Sequence, residues 1–404
     1  MALPTRSDCI FFVLFILVLM PVSAAADQNT TTGSGQQQET GQIFLFRPAS
    51  DSIPSTQVNA IINGLDGSVL VGTPLGLSTF DGSWSTRHIN RNNLSSGLLD
   101  NFVTALAYDG EGNLWIGYAG GIQVYNGHDY QLIADQQLLK SLQIRAFQRW
   151  NDEMWIATGN SGLSRYSQDT WTWYAPNSPG GPGFYEADSM ALDPVSGTLL
   201  VGTRDEGLWA VTSPDTTARF TELQSPYDTF GLLGQVRQDP LGGVYFFNTT
   251  EVAHYSPASG FIPVLSGNDF YGGPYAINDV AAGPGGAVYV ATENGIYVWK
   301  NGAVTRHLGT FEGFGTNVHN VRMVFLDAKG RLWFSTLDIV GYYTGDEPAA
   351  SLIAVETVTP TPVPTPGPVN ATPVVTLSGT TLPQNPSFID SISGFFTGLL
   401  HLGH

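Results

Sequence analysis

The chain is predicted to be all-β, a seven-bladed β-propeller of four-stranded antiparallel blades, and three observations predict it. A strand-length phrase recurs seven times. Its copies lie 40 to 45 residues apart, the spacing of one propeller blade. The 404 residues include 47 Gly and 25 Pro but only 12% charged residues, a mix for short strands and tight turns rather than helices.

The phrase reads GSVLVGTPLGLSTFDGSW at 67–84 and GNLWIGYAGGIQVYNGHDY at 112–130. It returns as DEMWIATGNSGLSRYSQDTW at 152–171 and GTLLVGTRDEGLWAV at 197–211. The last three copies are GGVYFFNTTEVAHYS at 242–256, GAVYVATENGIYVWKNG at 286–302 and GRLWFSTLDIVGYYTG at 330–345. Within the second copy each element has a physical reading. Val103 to Asp109 alternates small and apolar residues, as a buried inner strand does. Asp109-Gly110-Glu111-Gly112 is a tight turn with glycines free to take positive φ. Leu114 to Gly117 is the second strand and Gly121 to Tyr125 the third. Asn126-Gly127 is a two-residue hairpin signal, and Tyr130 to Ile133 is the outer strand. One such blade cannot bury both of its faces, whereas a ring of seven can. The seventh copy supplies strands over 321–327, 331–337 and 339–344 but no clear outer strand. Ile43 to Phe46 (IFLF) is expected to supply it, with Ser351 to Val355 as the rival.

The stretch LSSGLLDNFVTALAYDGEGNLWIGYAGGIQVYNGHDY, 94–130, resembles the repeat of the two-component-regulator propeller family. That pattern runs from a Leu/Asn loop through an inner strand to D-x-x-G-x-L-W-h-G-T and then G-h-x-x-a, and the resemblance covers roughly 43 to 345. The third, fourth and fifth repeats depart from it. The third has Arg149-Trp150-Asn151-Asp152 at its turn, and the fifth lacks the Gly before its third strand. The resemblance implies a periplasmic or extracellular sensor, which in the family usually precedes a histidine kinase. With no membrane span, linking sandwich or kinase read after the seventh repeat, it implies a recognition module here. It also reaches distantly to propeller lyases that use a channel-side His with acidic partners.

The flanks read as segments of different kinds. Residues 1–26 read as a signal peptide: Arg6, an apolar run from Ile10 to Met20, then Pro21 and small residues to Ala26. An uncleaved signal anchor is the alternative. The expected destination is therefore secretion or the cell surface. Cys9, the one cysteine, would leave with the signal, and a mature chain without cysteine depends on packing for stability. Residues 27–42 are a polar, unpatterned linker, followed by the propeller over 43–350. Residues 351–387 are a Pro/Thr-rich spacer, stiff and extended. Residues 388–404 place Phe388, Ile389, Ile392, Phe395, Phe396, Leu399 and Leu400 on one helical stripe. That stripe suits a membrane interface, a partner, or folding back on the propeller.

The net charge of −18 disfavours nucleic acid and anionic lipid. It leaves cations, basic partners and neutral ligands, or simply solubility in an exported chain. In a propeller the loops leading into each inner strand and those joining the second and third strands share one end. Aromatics there are the candidate binding residues: Phe184 and Tyr185 beside Pro182, Tyr227 and Phe230, Tyr271 and Tyr275 beside Phe270, and Phe311 and Phe314. Such rings stack on sugars or on a partner's side chains, or else they plug the channel. Acids join them: Asp205, Glu206 and Glu293 first, with Glu186, Asp188, Asp228, Glu251, Asp269, Glu312 and Asp338. No D-x-D-x-D spacing supports a calcium loop, so no metal and no cofactor is expected. His319, with Asn317, Asn320 and Arg322, is the one catalytic candidate, and a His without a fixed partner is usually structural. Asp109, Asp239 and Asp327 read as turn residues. Asn29, Asn93, Asn248 and Asn370 are glycosylation candidates. The reading is an extracellular module binding a glycan, peptide or protein. A propeller lyase or hydrolase, or a structural surface protein, is the alternative.

Overall fold

A computed structural model describes residues 41–48, 53–88, 96–212, 218–224, 234–309 and 319–345. Among these residues the strands form seven four-stranded antiparallel sheets, one per repeat. In blades 1 to 6 the strands follow chain order from the inner strand outward. Blade 2 shows how closely the sequence pattern maps: Ala105–Tyr108, Leu114–Tyr118, Gly121–Tyr125 and Tyr130–Ile133. The one α-helix among the described residues is a single turn, Gln136–Leu139, leading into blade 3.

Burial grades outward along each blade. The second strands of blades 1, 2 and 4 are buried at every residue, because both of their faces meet neighbouring sheets. Outer strands such as Trp84–Arg87 alternate half-buried and exposed. The apolar core is therefore divided into seven clusters, one between each pair of adjacent blades. Trp155 with Leu199 and Val201 joins blades 3 and 4. Trp333 with Val69 and Phe80 joins blades 7 and 1.

The ring is closed by the predicted clasp. Gln42–Phe46 pairs antiparallel with Val340–Thr344 and becomes the outer strand of blade 7. Phe44 stacks on Tyr342 with centroids 4.6 Å apart, and Phe46 reaches Phe80, Trp84 and Trp333. The clasp thus joins the blade 7–blade 1 core as well as the ladder. The rival segment, 351–355, lies outside the described residues. So do the signal, linker, spacer and tail.

The turns explain the repeat's sequence pattern. Asp109 Oδ1 accepts from the amides of Glu111 and Asn113, both at 2.9 Å, and Oδ2 accepts from Trp115 Nε1 at 3.0 Å. Asp327 does the same for Lys329, Arg331 and Trp333. The Asp and the Trp of the repeat are thus one hydrogen-bonded unit. Gly121 sits at φ 127°, and a Cβ there would lie 2.7 Å from the carbonyl oxygen of Ile133. That contact fixes the glycine that opens the third strand.

The departing repeats keep the blade by other means. In blade 3 the D-x-x-G turn is replaced by a two-residue turn, Asn151-Asp152, between paired Trp150 and Glu153. Asn151 takes positive φ, and Glu153 Oε2 accepts the Trp155 indole at 3.3 Å. In blade 5, where Glu251 opens the third strand, the side chain of Asn248 accepts from the amides of Thr250 and Glu251. In the same blade Tyr245 stands at the Trp position, and His254 Nε2 donates to Asp239 Oδ2 at 3.1 Å.

Candidate binding face at the loop end

Chain direction sorts the connections onto two ends of the ring. The hairpin turns between first and second strands and between third and outer strands share one end, the turn end. The lead-in loops and the second-to-third strand turns share the other, the loop end. The predicted aromatics belong to the loop end.

Two lead-in loops carry the same arrangement. Before blade 4, Phe184 is fully buried and meets Trp209 edge-on, with centroids 5.5 Å apart. The next residue, Tyr185, is 51% exposed. Before blade 6, Phe270 is buried and stacks on Tyr297 at 4.4 Å, and the next residue, Tyr271, is 93% exposed. Each loop is pinned by a phenylalanine and presents a tyrosine.

The pins depend on one position in the third strand. Trp209 pairs with Val201 and Tyr297 with Val290, which makes them equivalent in their blades. The Tyr297 hydroxyl also donates to the carbonyl of Tyr271 at 3.3 Å and accepts from Asn294 Nδ2 at 2.9 Å. In blade 2 the same position is Gln123. Its Oε1 accepts from the amide of Leu99 at 2.6 Å, and its Nε2 donates to Gly97. The third strand therefore holds the loop that leads into its own blade, with a ring in blades 4 and 6 and an amide in blade 2. These residues carry no charge and no motif, and residue-by-residue reading passed over them.

Two expectations are corrected here. Phe184 offers no face to a ligand, because Trp209 and the blade 3–blade 4 core enclose it. Tyr275 is half-buried and packs against the blade 5–blade 6 core, with its ring parallel to Tyr297 at 6.3 Å. The mass that covers both rings comes from the blades. Tyr227, Phe230, Phe311 and Phe314 lie outside the described residues. Phe102 and Trp173 join Tyr185 and Tyr271 as exposed aromatics of the loop end. The indole of Trp173 donates to Ser161 at 2.8 Å, and Lys140 lies over its ring.

The acids of this end are spread rather than convergent. Asp205 and Glu293 are exposed and Glu206 is half-buried. Burial holds the Glu206 carboxyl above its ordinary value. Beside the channel, Arg204 Nε lies 3.1 Å from Glu186 and 3.5 Å from Asp188, and Arg145 approaches Glu186 at 4.0 Å. These four alternating charges tie the inner strands of blades 3 and 4. At partial exposure each pair contributes about 1 kcal/mol or less. Deeper in the ring, Asp279 is buried against Arg237 of blade 5 at 2.9 Å and accepts from the amide of Val324 in blade 7. Burial pushes its carboxyl up, with Arg237 opposing.

His319 is exposed, as is Arg322. Among the described residues no hydrogen bond or ion pair joins either side chain to a carboxylate, and no group of three His, Cys, Asp or Glu converges as metal ligands would. Asn248 is buried, and its Oδ1 is taken up by the turn. Asn29, Asn93 and Asn370 lie outside the described residues.

Known proteins match this architecture. The family model described as two component regulator propeller matches residues 97–120. Blade 2 carries a two component regulator propeller repeat. The match spans the Gln123-held loop, the inner strand and the Asp109–Trp115 unit. Among solved structures, the chain is similar to the extracellular domain of the hybrid two component system BT4673 of B. thetaiotaomicron. Identity is 18%, TM-score 0.60, with 74% of this chain and 39% of that chain covered. The chain thus spans about two-fifths of that extracellular domain. It is also similar to a catalytically inactive virginiamycin B lyase from Staphylococcus aureus with quinupristin, at 12% identity and TM-score 0.57, covering 75% and 99% of the two chains. A third likeness is YCF48 bound to D1 peptide, at 14% identity and TM-score 0.53, covering 76% and 96%. No curated protein matches the chain by sequence. Likeness at these identities establishes a shared propeller fold.

Proposed function

We propose that the chain is an extracellular recognition module that holds a glycan, peptide or protein on the loop end of the propeller. One observation carries the reading: Tyr185 and Tyr271 stand exposed on loops whose neighbouring Phe184 and Phe270 are buried. A ring presented from a pinned loop loses little conformational freedom on binding. Rings of this kind stack on sugar faces and act as anchors in protein interfaces. The surrounding carboxylates favour a neutral or basic ligand over an anionic one. The similarity to extracellular two component domains supports an exported sensor-like role, and the peptide complex of YCF48 supports a peptide or protein partner. Export through residues 1–26 and surface attachment through 388–404 belong to the same reading.

The test is retention of the full chain on a glycan array and on an immobilised peptide library. A ligand held by the native chain should be lost by the Tyr185→Ala/Tyr271→Ala variant, with the melting temperature unchanged. A ligand retained equally by that variant would move the site away from the loop end.

A further inference from the structure

The clasp closes the ring but presents an edge of its own. Gln42–Phe46 is the outermost strand of blade 7, and among the described residues nothing pairs with its far side. The amide and carbonyl of Gln42 both meet the Thr344 hydroxyl, at 3.1 and 3.2 Å, and a Cβ on Gly341 would lie 2.6 Å from the Phe44 carbonyl oxygen. The backbone groups of Gln42, Phe44 and Phe46 therefore face blade 7, and alternation turns those of Ile43 and Leu45 outward. Side chains alternate too. Ile43 and Leu45 pack on the blade 6–blade 7 core, while Phe44 stacks on Tyr342 yet remains 39% exposed. Native edges are blunted by charge or proline. The outer strands of blades 1, 4 and 6 carry Arg87, Arg219 with Glu222, and Arg306, and that of blade 5 carries Pro263. Those of blades 2 and 3 interleave Gln131 and Thr172. After Gln42 the clasp runs Ile-Phe-Leu-Phe, in unbroken register and with no such residue.

We infer that this edge pairs antiparallel with the same edge of a second copy of the chain, joining two four-stranded blades into one sheet. A twofold axis at Phe44 makes the edge complementary to itself. Ile43 of one copy and Leu45 of the other exchange N–H···O=C bonds in both directions, and symmetry repeats the exchange. Phe44 meets the second copy's Phe44 on the axis as a non-hydrogen-bonded pair, with Cα atoms about 4.5 Å apart. The two rings then cover each other's exposed faces, a favourable cross-strand contact. Charge selects a second copy at this place. The chain has 34 acidic and 16 basic residues, so two copies repel over most of their surface. Among the described residues of blade 7 and its clasp the balance is reversed, with Arg47, Arg322, Lys329 and Arg331 against Asp327 and Asp338. Pairing here brings no carboxylate to the strand edge, and the basic blade of each copy is drawn to the acidic body of the other. The contact is small, so the dimer belongs to the transient class. It lies on the rim of the ring and is independent of the function proposed for the loop end.

The experiment follows sedimentation of the full chain at rising concentration, up to about 1 mM, the range of a transient contact. A reversible monomer–dimer equilibrium is expected. Phe44→Cys, in a Cys9→Ser background that removes the chain's one native thiol, should cross-link into a dimer under copper phenanthroline. Gln42→Cys, away from the axis, should not. Phe44→Glu and Phe44→Lys should each weaken association roughly tenfold, because like charges then face each other across the axis, and an equimolar mixture of the two should recover it. Circular dichroism melts show whether each variant is folded, and the native sedimentation needs no variant at all. The idea is overturned if the native chain stays monomeric over the whole range, or if Phe44→Cys cross-links no faster than Gln42→Cys. It is overturned equally if the mixed charge variants, both folded, associate no better than either alone. A monomer whose Ile43 and Leu45 amides resist hydrogen exchange would show the edge taken by another segment of its own chain, which also overturns it.

Discussion

The two ends of the ring use their loops for opposite purposes. At the turn end, short turns close on an Asp or Glu that accepts from the turn amides or from a Trp indole, as at Asp109 and Asp327. The exposed apolar residues there are aliphatic: Leu65, Val195 and Leu241. At the loop end, longer segments pin one aromatic and expose the next. Polar side chains at the turn end satisfy the fold, whereas aromatic side chains at the loop end are divided between fold and surface. Residue type alone therefore says little about role, and the partner atom decides it.

The sharpest test sets adjacent residues against each other. Phe184→Ala should cost about 3–5 kcal/mol, as large-to-small changes of buried aromatics do. Tyr185→Ala should stay within about 0.5 kcal/mol. Chemical denaturation of the two variants checks this, and similar losses would erase the distinction between pin and presented ring. At the turn end, Asp327→Ala strips Arg331, Trp333 and two turn amides of their acceptor, and should cost about 3 kcal/mol. A loss below about 1 kcal/mol would show that water replaces the carboxylate.

A smaller effect is expected where an amide is the pin. Gln123→Ala leaves the Leu99 amide and the Tyr118 hydroxyl without their buried acceptor, a cost of about 1–3 kcal/mol. Hydrogen exchange should accelerate at Leu99 while the Asp109 turn stays protected. If both regions loosen together, the two ends are not separable.

The smallest effect is a pH dependence confined to blade 5. The hydrogen bond to Asp239 raises the His254 imidazole above its ordinary value, with burial opposing. A raised folded-state value stabilises the fold fully below the unfolded value, near 6.5, and the benefit fades as pH rises through the folded value. Nε2 still donates in the neutral tautomer, so only the charge contribution is lost. The melting temperature of the native chain should fall slightly across that range, and that of His254→Phe should not. An equal slope in both would place the effect elsewhere.

Most of the architecture was legible because period, turn chemistry and strand patterning all repeat. The D-x-x-G-x-L-W phrase encodes a hydrogen-bonded unit within seven residues, so a local reading finds it. The clasp was legible because IFLF fits a strand that the seventh repeat lacks. The split within Phe184-Tyr185 and Phe270-Tyr271 was not. It depends on Trp209 and Tyr297, some 25 residues away along the chain, and on which blade they occupy. A comparison of the third-strand position across repeats, with aromatics in blades 4 and 6 alone among Ser78, Gln123, Ser164, Trp209, Ala253, Tyr297 and Gly341, would have found it.

The clasp also sets how the ring responds to force. Gln42 pairs with Thr344 and Phe46 with Val340, so the two outgoing ends of the ring leave side by side from the same end of one ladder. A pull between them loads that ladder from its free end, one residue pair after another, rather than shearing all its bonds together. Held by both ends, the ring would unzip at blade 7 under modest tension. Held by its C-terminal end alone, it would take the load on Val340–Thr344, a strand paired on both sides.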